Sequence, residues 1–436
     1  MGHYNTAFPE KKDIFLVSYR KISYNGEVKK EGVTMNIGII GGGAAGMAAA
    51  LAASEYENAR VVLMERQARL GKKLSATGNG RCNLSNLHAA DGGYNGNDPH
   101  FSEFAISRFG PEATLNWFSS LGLYTLTEPS GKVYPYSDQA NSVVDVLRFA
   151  LERENIEVLT DFEVLKAKRN GEKFSVTAKD RTLEFDRLII ACGGLAGTKL
   201  GGTMAGYKLL RGFGHKCTRL RPALVQVKTS WPGVSALKGV RANCHAAIYQ
   251  NGKLHRQSMG ELQFTDFGLS GPVIYEISRD ACQGPGQWEC TLDFLPDISS
   301  EQLLALLTRR KGSKLCAEDL FTGILHNRLG RCFVKEAGIR ANLPICDLRS
   351  DQLSDCVFLA KGFTVSLTEP LGMDAAQVTA GGMETHEFDP ETMESRLVPG
   401  LYACGEVLDV DGECGGYNLQ WAWSSGRLAG LTAGKE

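Results

Sequence analysis

Four short apolar runs punctuate the chain, at residues 37–40, 61–64, 188–191 and 401–404, and each meets a glycine or an acid within two residues. Unbroken apolar runs, unlike alternating ones, predict strands buried on both faces, as in a parallel sheet covered by helices. An alanine-rich segment follows the first run and predicts a helix, so residues 36–65 read as strand, glycine turn, helix, strand, acid. Further helices are expected at 111–121 and 142–153, and segments at 157–164, 174–178 and 182–185 resemble a β-meander.

The pattern changes after Gly194. Residues 222–289 alternate apolar and polar positions with turns such as Asn251-Gly252, the signature of antiparallel strands. Helical periodicity occupies 299–310, opened by the capping signal Ser299-Ser300-Glu301-Gln302, and 317–337; strand character returns at 358–367. The expected architecture is α/β: a Rossmann-like domain from residues 35–198 and 380–436, an inserted β-barrel-like domain from 199–298 and 350–379, and a helical subdomain at 299–349. Residues 1–34 share none of this patterning. Met35 immediately precedes the first strand and is expected to be the true start, the alternative being an extra edge strand at 14–19.

The turn between the first strand and helix is Gly41-Gly42-Gly43-Ala44-Ala45-Gly46. Gly41 permits the tight turn, Gly43 lets backbone approach a pyrophosphate, and Gly46 lets helix pack on strand. The helix start then offers free N–H groups and a positive dipole end to phosphate, with Ala45 in its first turn. Glu65 lies nineteen residues after Gly46, where a carboxylate hydrogen-bonds a ribose 2′-hydroxyl and disfavours a 2′-phosphate. A nucleotide is therefore expected here, with Arg66 beside the acid.

Composition narrows the remaining classes. At 436 residues, 43% hydrophobic and 22% charged, the chain is ordinary for a globular protein, and its net charge of −1 recruits neither nucleic acid nor anionic membrane. No apolar run reaches the ~20 residues of a membrane-spanning helix. None of the twelve cysteines forms a Cys-x-x-Cys pair, so neither a dithiol nor a zinc site is expected, no metal is assigned, and a reducing, cytoplasmic setting fits.

Residues 69–83 carry too many glycines and small polar groups for a regular element. They suit a loop around a charged ligand, with Lys72, Lys73, Asn79 and Arg81 as partners, or an ordinary basic loop. Tyr134 beside Pro135 either lines a pocket, where it is the candidate proton donor, or packs. The basic run at 208–221 is a solvated face or an anion site, and the segment 260–272, with Leu262, Phe264, Phe267 and Leu269, is a substrate wall or barrel core.

The C-terminal motif selects the cofactor. Residues 401–406 form a strand ending in Gly405-Glu406, where the acid can meet a ribityl hydroxyl. A helix starting near Asn418-Leu419 can aim its positive end at the N1/O2 edge of an isoalloxazine. The Gly193-Gly194 pair after the third apolar run adds a further close backbone approach. NAD has neither ribityl chain nor flavin, so FAD is favoured, held without a covalent link.

These motifs together with Gly78-Asn79-Gly80-Arg81-Cys82-Asn83 and Gly268-Leu269-Ser270-Gly271-Pro272 resemble the two-dinucleotide-binding-fold flavoproteins. More closely, the chain is similar to the bacterial family labelled aminoacetone-oxidase-like or BaiN-like NAD(P)/FAD-dependent oxidoreductases. The resemblance runs from Met35 to the C-terminus. It implies flavin-nucleotide contacts from Glu65, Arg81, Glu406 and Asn418, and an adenine contact from backbone near Val164. One branch of that family reduces 3-oxo-Δ4,6 bile-acid intermediates. The leading expectation is thus an FAD oxidoreductase that reduces an activated C=C bond of a small molecule, with NADH or NADPH as transient co-substrate. The alternatives are an oxidase of a small amine such as aminoacetone, and a nucleic-acid-acting or non-catalytic flavin-binding protein.

Overall fold

The computed structural model describes residues 34–179 and 181–435; the expectations for residues 1–33 lie outside them. Its centre is a five-stranded parallel sheet in the order Leu401–Ala403, Arg187–Ile190, Met35–Ile40, Ala59–Met64, Ile156–Leu159. All four apolar runs lie side by side in it, with Ile39 level with Leu63 on one side and Ile189 on the other. All three residues are fully buried, which is why these runs tolerate no polar position. The α/β expectation holds: both chain ends build one Rossmann-like sheet.

Helix Ala44–Ala53 covers the sheet and is buried along almost its whole length. It can be so because it is nearly all alanine and packs against the C-terminal helix Tyr417–Gly434. A methyl at Gly426 would reach within 3.0 Å of the Ala45 Cα, and one at Gly430 within 2.9 Å of the Ala49 Cα. The matched steps from 45 to 49 and 426 to 430 mean that the two helices run parallel at backbone contact.

One strand assignment changes. The segment expected at 157–164 as the start of the meander instead pairs in parallel with Ala59–Met64 as the sheet edge, over Ile156–Leu159. The meander is built from Lys166–Asn170, Lys173–Thr177 and Thr182–Phe185. Its first strand is mostly lysine, arginine and asparagine on a solvated edge, so no apolar pattern announces it.

The insertion closes a six-stranded barrel in the order Val227–Thr229, Gly268–Ser270, Lys253–Phe264, Arg241–Gln250, Trp288–Asp293, Phe363–Pro370. The two longest strands meet at Asn251 (φ 50°) and Gly252 (φ 79°), both left-handed as the tight hairpin turn demands. Leu262, Phe264 and Leu269 are fully buried in the barrel core, so that side of the alternative for residues 260–272 applies to them, while Phe267 is half-buried. Helices Ser300–Arg309, Asn327–Glu336 and Ser350–Gly362 share this core, with Phe333 ringed by Phe294, Phe321 and Phe363.

The capping signal acts as expected: the Gln302 N–H donates to Ser299 Oγ, and the Ser299 N–H to Gln302 Oε1. Two other element boundaries move. The periodicity at 317–337 splits into a turn at Ala317–Asp319 and a helix from Asn327, separated at Gly323 (φ 80°). The strand expected from 358 begins only at Phe363, because Leu353, Cys356, Val357 and Ala360 bury one helical face first.

Candidate functional site

The site is built outward from the glycine turn. Gly41 is left-handed (φ 113°), and a methyl there would lie within 3.0 Å of the Cys192 Cα. A methyl on Gly46 would press into the Gly41 carbonyl group. Gly43 is different: nothing lies within 4 Å of the position its methyl would take. Gly41 and Gly46 are thus required by the chain's own packing, whereas Gly43 leaves a surface open beside the helix start. That start has no side-chain cap and no acid in its first turn, so its first N–H groups are left without a side-chain acceptor.

Glu65 faces the same turn. Its Oε2 accepts the Gly42 N–H at 2.8 Å and its Oε1 the Gln67 N–H at 2.8 Å. Arg66 Nη2 donates to the Gly201 carbonyl at 3.0 Å. Glu65, Arg66, Phe162, Val164 and Cys192 line one cleft beside Gly41, so the acid and Val164, far apart in sequence, share it.

A second group joins the two chain ends. Lys73 Nζ donates to Glu406 Oε2 at 2.7 Å, and Glu406 Oε1 accepts the Thr379 N–H at 2.8 Å. Gly194 lies against this carboxylate, where a methyl would come within 2.7 Å of Cδ; Gly193 (φ 68°) faces open space. Gly405 (φ 76°) abuts Ala45 and donates its N–H to Ser425 Oγ at 3.0 Å. Lys72 stands apart, exposed, donating at 3.4 Å to Gln67 Oε1.

The third group surrounds the start of the C-terminal helix. Gly78, Asn79 and Gly80 are consecutively left-handed. Arg81 follows, donating to Asp138 at 2.5 Å and Glu128 at 3.4 Å, its guanidinium 4.1 Å above the Tyr134 ring. Tyr134 is mostly buried, and burial raises its phenol above the ordinary value. Asn418 spends its side chain on the preceding loop, accepting the Gly412 N–H and donating to the Gly412 and Glu413 carbonyls. Leu419 packs half-buried against the sheet core. Gly416 (φ 107°) opens the helix with no side-chain cap and no acid in the first turn. Beside it the Asn83 Oδ1 is buried without a hydrogen-bond partner among the described residues.

The helix register relates these groups. With Gly426 level with Ala45, the first residue of the nucleotide-turn helix, Ala44, is level with Ser425, eight residues after Tyr417. At 1.5 Å per residue the second uncapped helix start therefore lies about 12 Å beyond the first in the same direction. Two positive helix ends in line, with the Lys73–Glu406 pair and Gly405 among the groups around them, suit an extended ligand with phosphate at one end and an electron-rich ring at the other. The open faces at Gly43 and Gly193 and the unpartnered Asn83 oxygen fit such a ligand.

Arg279 and Glu276 lie outside every motif, whereas Asp411 and Gln420 belong to the C-terminal one, with no role assigned from the sequence. Arg279 forms a bidentate pair with Asp411 at 2.6 and 3.1 Å. Gln420 is fully buried, accepting from Ser85 Oγ and donating to Phe109 and Thr114. Glu276 Oε1 accepts the Cys414 N–H at 2.7 Å; burial, then the neighbouring Glu413, pushes its carboxyl up to about 7. The only advance signal for Glu276 was its place just after Gly268-Leu269-Ser270-Gly271-Pro272. Among the described residues no cluster of three or more His, Cys, Asp or Glu is arranged to hold a metal, and no helix is long and apolar enough to cross a membrane.

Comparison with known proteins agrees with this framework. The chain is 38% identical over 403 residues to the 3-dehydro-bile acid delta(4,6)-reductase of Clostridium scindens, covering 91% of this chain and 98% of that one. It is 31% identical over 392 residues to the ribosomal RNA dihydrouridine synthase of Escherichia coli K12, covering 89% and 95%. The Haemophilus influenzae protein of the same name is 28% identical over 414 residues, covering 91% and 98%. A family profile described as the HI0933-like protein Rossmann domain matches residues 35–432, nearly all of the described chain. With the glycine turn, the sheet from both chain ends and the inserted barrel all inside that match, the chain belongs to the HI0933-like family.

Proposed function

We propose that the chain holds FAD non-covalently along the line of the two helix starts and uses it to reduce a C=C bond conjugated with a carbonyl. The observation that carries the reading is the pair of uncapped helix ends offset by about 12 Å along the parallel helix axes. In this reading the start of Ala44–Ala53 takes the pyrophosphate, with Gly43 open beside it. Glu65 takes an adenosine ribose hydroxyl, Val164 borders the adenine, and Lys73, Gly405 and Glu406 border the ribityl chain. Arg81 and the start of Tyr417–Gly434 sit at the ring. When bound and reduced, the flavin supplies a hydride equivalent to the β carbon of the acceptor. NADH or NADPH is the electron donor, and the insertion sets substrate choice by what it places over the ring.

The favoured acceptor is a steroid-type 3-oxo-Δ4,6 dienone, supported by the 38% identity to a bile-acid reductase and by a net charge of −1. A second reading has its own support. Relatives at 31% and 28% identity are named as ribosomal RNA dihydrouridine synthases, and the uracil C5=C6 bond is likewise conjugated with a carbonyl. The reaction class is the same and the substrate is not. The test is to reduce the flavin-loaded protein anaerobically with NADH, then mix it with a 3-oxo-4,6-diene steroid, with uridine-containing RNA, or with aminoacetone before reduction. Rapid reoxidation by the steroid is expected. Reoxidation by RNA alone would move the substrate to uridine, flavin reduction by aminoacetone would make the protein an amine oxidase, and no response to any of them would refute the reading.

A further inference from the structure

Glu276 lies on the short helix Pro272–Ser278, which leaves the barrel strand Gly268–Ser270 through Gly271. Val273, Ile274 and Ile277 bury one face of that helix in the barrel core. The face carrying Glu276 instead meets the loop that opens the C-terminal helix: Oε1 accepts the Cys414 N–H at 2.7 Å, two residues before Gly416. From the other side a methyl at Gly415 would touch the Lys132 side chain at 3.0 Å, and Tyr134 lies two residues further along the same strand, beneath Arg81. The barrel, the small sheet carrying Tyr134 and the C-terminal loop thus converge where the reading above places the flavin ring. Glu276 is the carboxyl that the barrel contributes there, and among the described residues its Oε2 has no hydrogen-bond partner.

We propose that the Glu276 carboxyl is the proton donor of the reaction, delivering its proton from the barrel side to the carbon next to the carbonyl. The proposal rests on the enone reading above. Hydride addition to the β carbon breaks the C=C π bond and leaves the electron pair on the substrate as an enolate. The Glu276 O–H bond then breaks, a C–H bond forms at the α carbon, and Glu276 is left as a carboxylate to be reprotonated from water. The two electrons come from the reduced flavin, which a dihydronicotinamide nucleotide reduces again.

The surroundings keep the group ready. Burial is the largest influence, Glu413 adds a like charge, and the Cys414 N–H, Arg256 and Lys132 oppose them, leaving the carboxyl at about 7. Arg256 is itself divided between Asp280 at 3.2 Å and Glu413 at 3.3 Å, so it does not neutralise Glu276 alone. Two further titratable neighbours are the Tyr417 phenol, raised chiefly by burial and then by Glu413 and Glu276, and the Cys414 thiol, pushed up to about 12 chiefly by burial and then by Glu276. An acid that titrates near working pH transfers a proton more readily than a phenol raised above its ordinary value, which favours Glu276 over Tyr134.

The experiment compares the flavin-loaded wild type with Glu276→Gln and Glu276→Asp. Glutamine keeps an oxygen for the Cys414 N–H and loses the acidic proton. Flavin content and the rate of reduction by NADH should be unchanged in Glu276→Gln, while reoxidation by the dienone should slow by about 10²–10⁴-fold. Glu276→Asp should restore part of that loss. Wild-type reoxidation should decline as pH rises through about 7, and this limb should be missing in Glu276→Gln. Independently of any substrate, the visible spectrum of the oxidised wild-type flavin should titrate near the same pH, and that of Glu276→Gln should not. Equal reoxidation rates, or a wild-type profile with no limb near 7, would overturn the proposal even if one variant fails to fold. If no enone reoxidises the wild type, the enone reading falls and takes the proton's destination with it; a missing spectral titration would instead show that Glu276 is not at the ring.

Discussion

Replacing Gly430 with alanine tests the close helix pair on which the geometry of the site depends. In an exposed helix the change would stabilise by up to about 1 kcal/mol, because glycine is the poorer helix former. Here the new methyl would sit 2.9 Å from the Ala49 Cα and nearer still to its carbonyl oxygen. Ordinary carbon contact needs ~3.5–4.0 Å, so the helices must part by roughly half an ångström or more. The obstacle is backbone, and helix Ala44–Ala53 is backed by the buried sheet, so it has nowhere to retreat. Overpacking of this kind costs about 1–3 kcal/mol. The control is Gly212→Ala at the exposed end of helix Ala205–Gly212, where nothing lies within 4 Å of the new methyl. The assay is the urea midpoint of both variants, with flavin affinity measured alongside. Gly430→Ala should lower the midpoint and weaken flavin binding as the two helix starts lose their alignment, while Gly212→Ala should hold or raise the midpoint. Equal midpoints for the two variants would refute both the close approach and the register drawn from it.

Glu65→Ala should weaken FAD binding by about 1–3 kcal/mol, the scale for losing a charged hydrogen-bond acceptor, and unchanged affinity by fluorescence titration would take Glu65 off the ribose. Phe264→Ala should cost about 3–5 kcal/mol of stability because the ring is fully buried in the barrel, and Phe267→Ala, half-buried in the turn before Gly268, much less; the reverse order in denaturation would contradict that difference in burial. His215, buried between Glu387 and Ser395 and stacked on Phe388, has its pKa lowered chiefly by burial. The unfolded chain then takes up the proton first, so this contribution is full above the unfolded value of ~6.5 and is lost as pH falls. Stability should fall more steeply below pH ~6.5 in the wild type than in His215→Gln, and identical slopes would exclude His215 as the cause. That Ser395 Oγ also accepts the Leu397 and Val398 N–H groups marks the trio as a structural bond network.

Where local chemistry admits one answer, the sequence could be read directly. A glycine turn between two wholly apolar runs can be little else, and Asn251-Gly252 and Ser299 with Gln302 behave as short-range rules require. Where two structures bury the same residues, it could not. Leu353, Cys356, Val357 and Ala360 satisfy a helix, although the stretch beyond them also reads as a strand. The polar Lys166–Asn170 strand is held by its neighbour's backbone and so left no apolar trace.

The sequence by itself determined the parallel sheet, the nucleotide turn, the barrel hairpin and the family resemblance, because each depends on residue type at short spacing. Only the tertiary structure paired Lys73 with Glu406, 333 residues away, and set Arg279 against Asp411 across 132. It alone brought Glu276 from the barrel to the loop opening the last helix and set the offset between the two helix starts. A charged side chain carries no mark of its distant partner in the local pattern. Its partner and its acidity are decided by which surfaces the buried apolar faces force together.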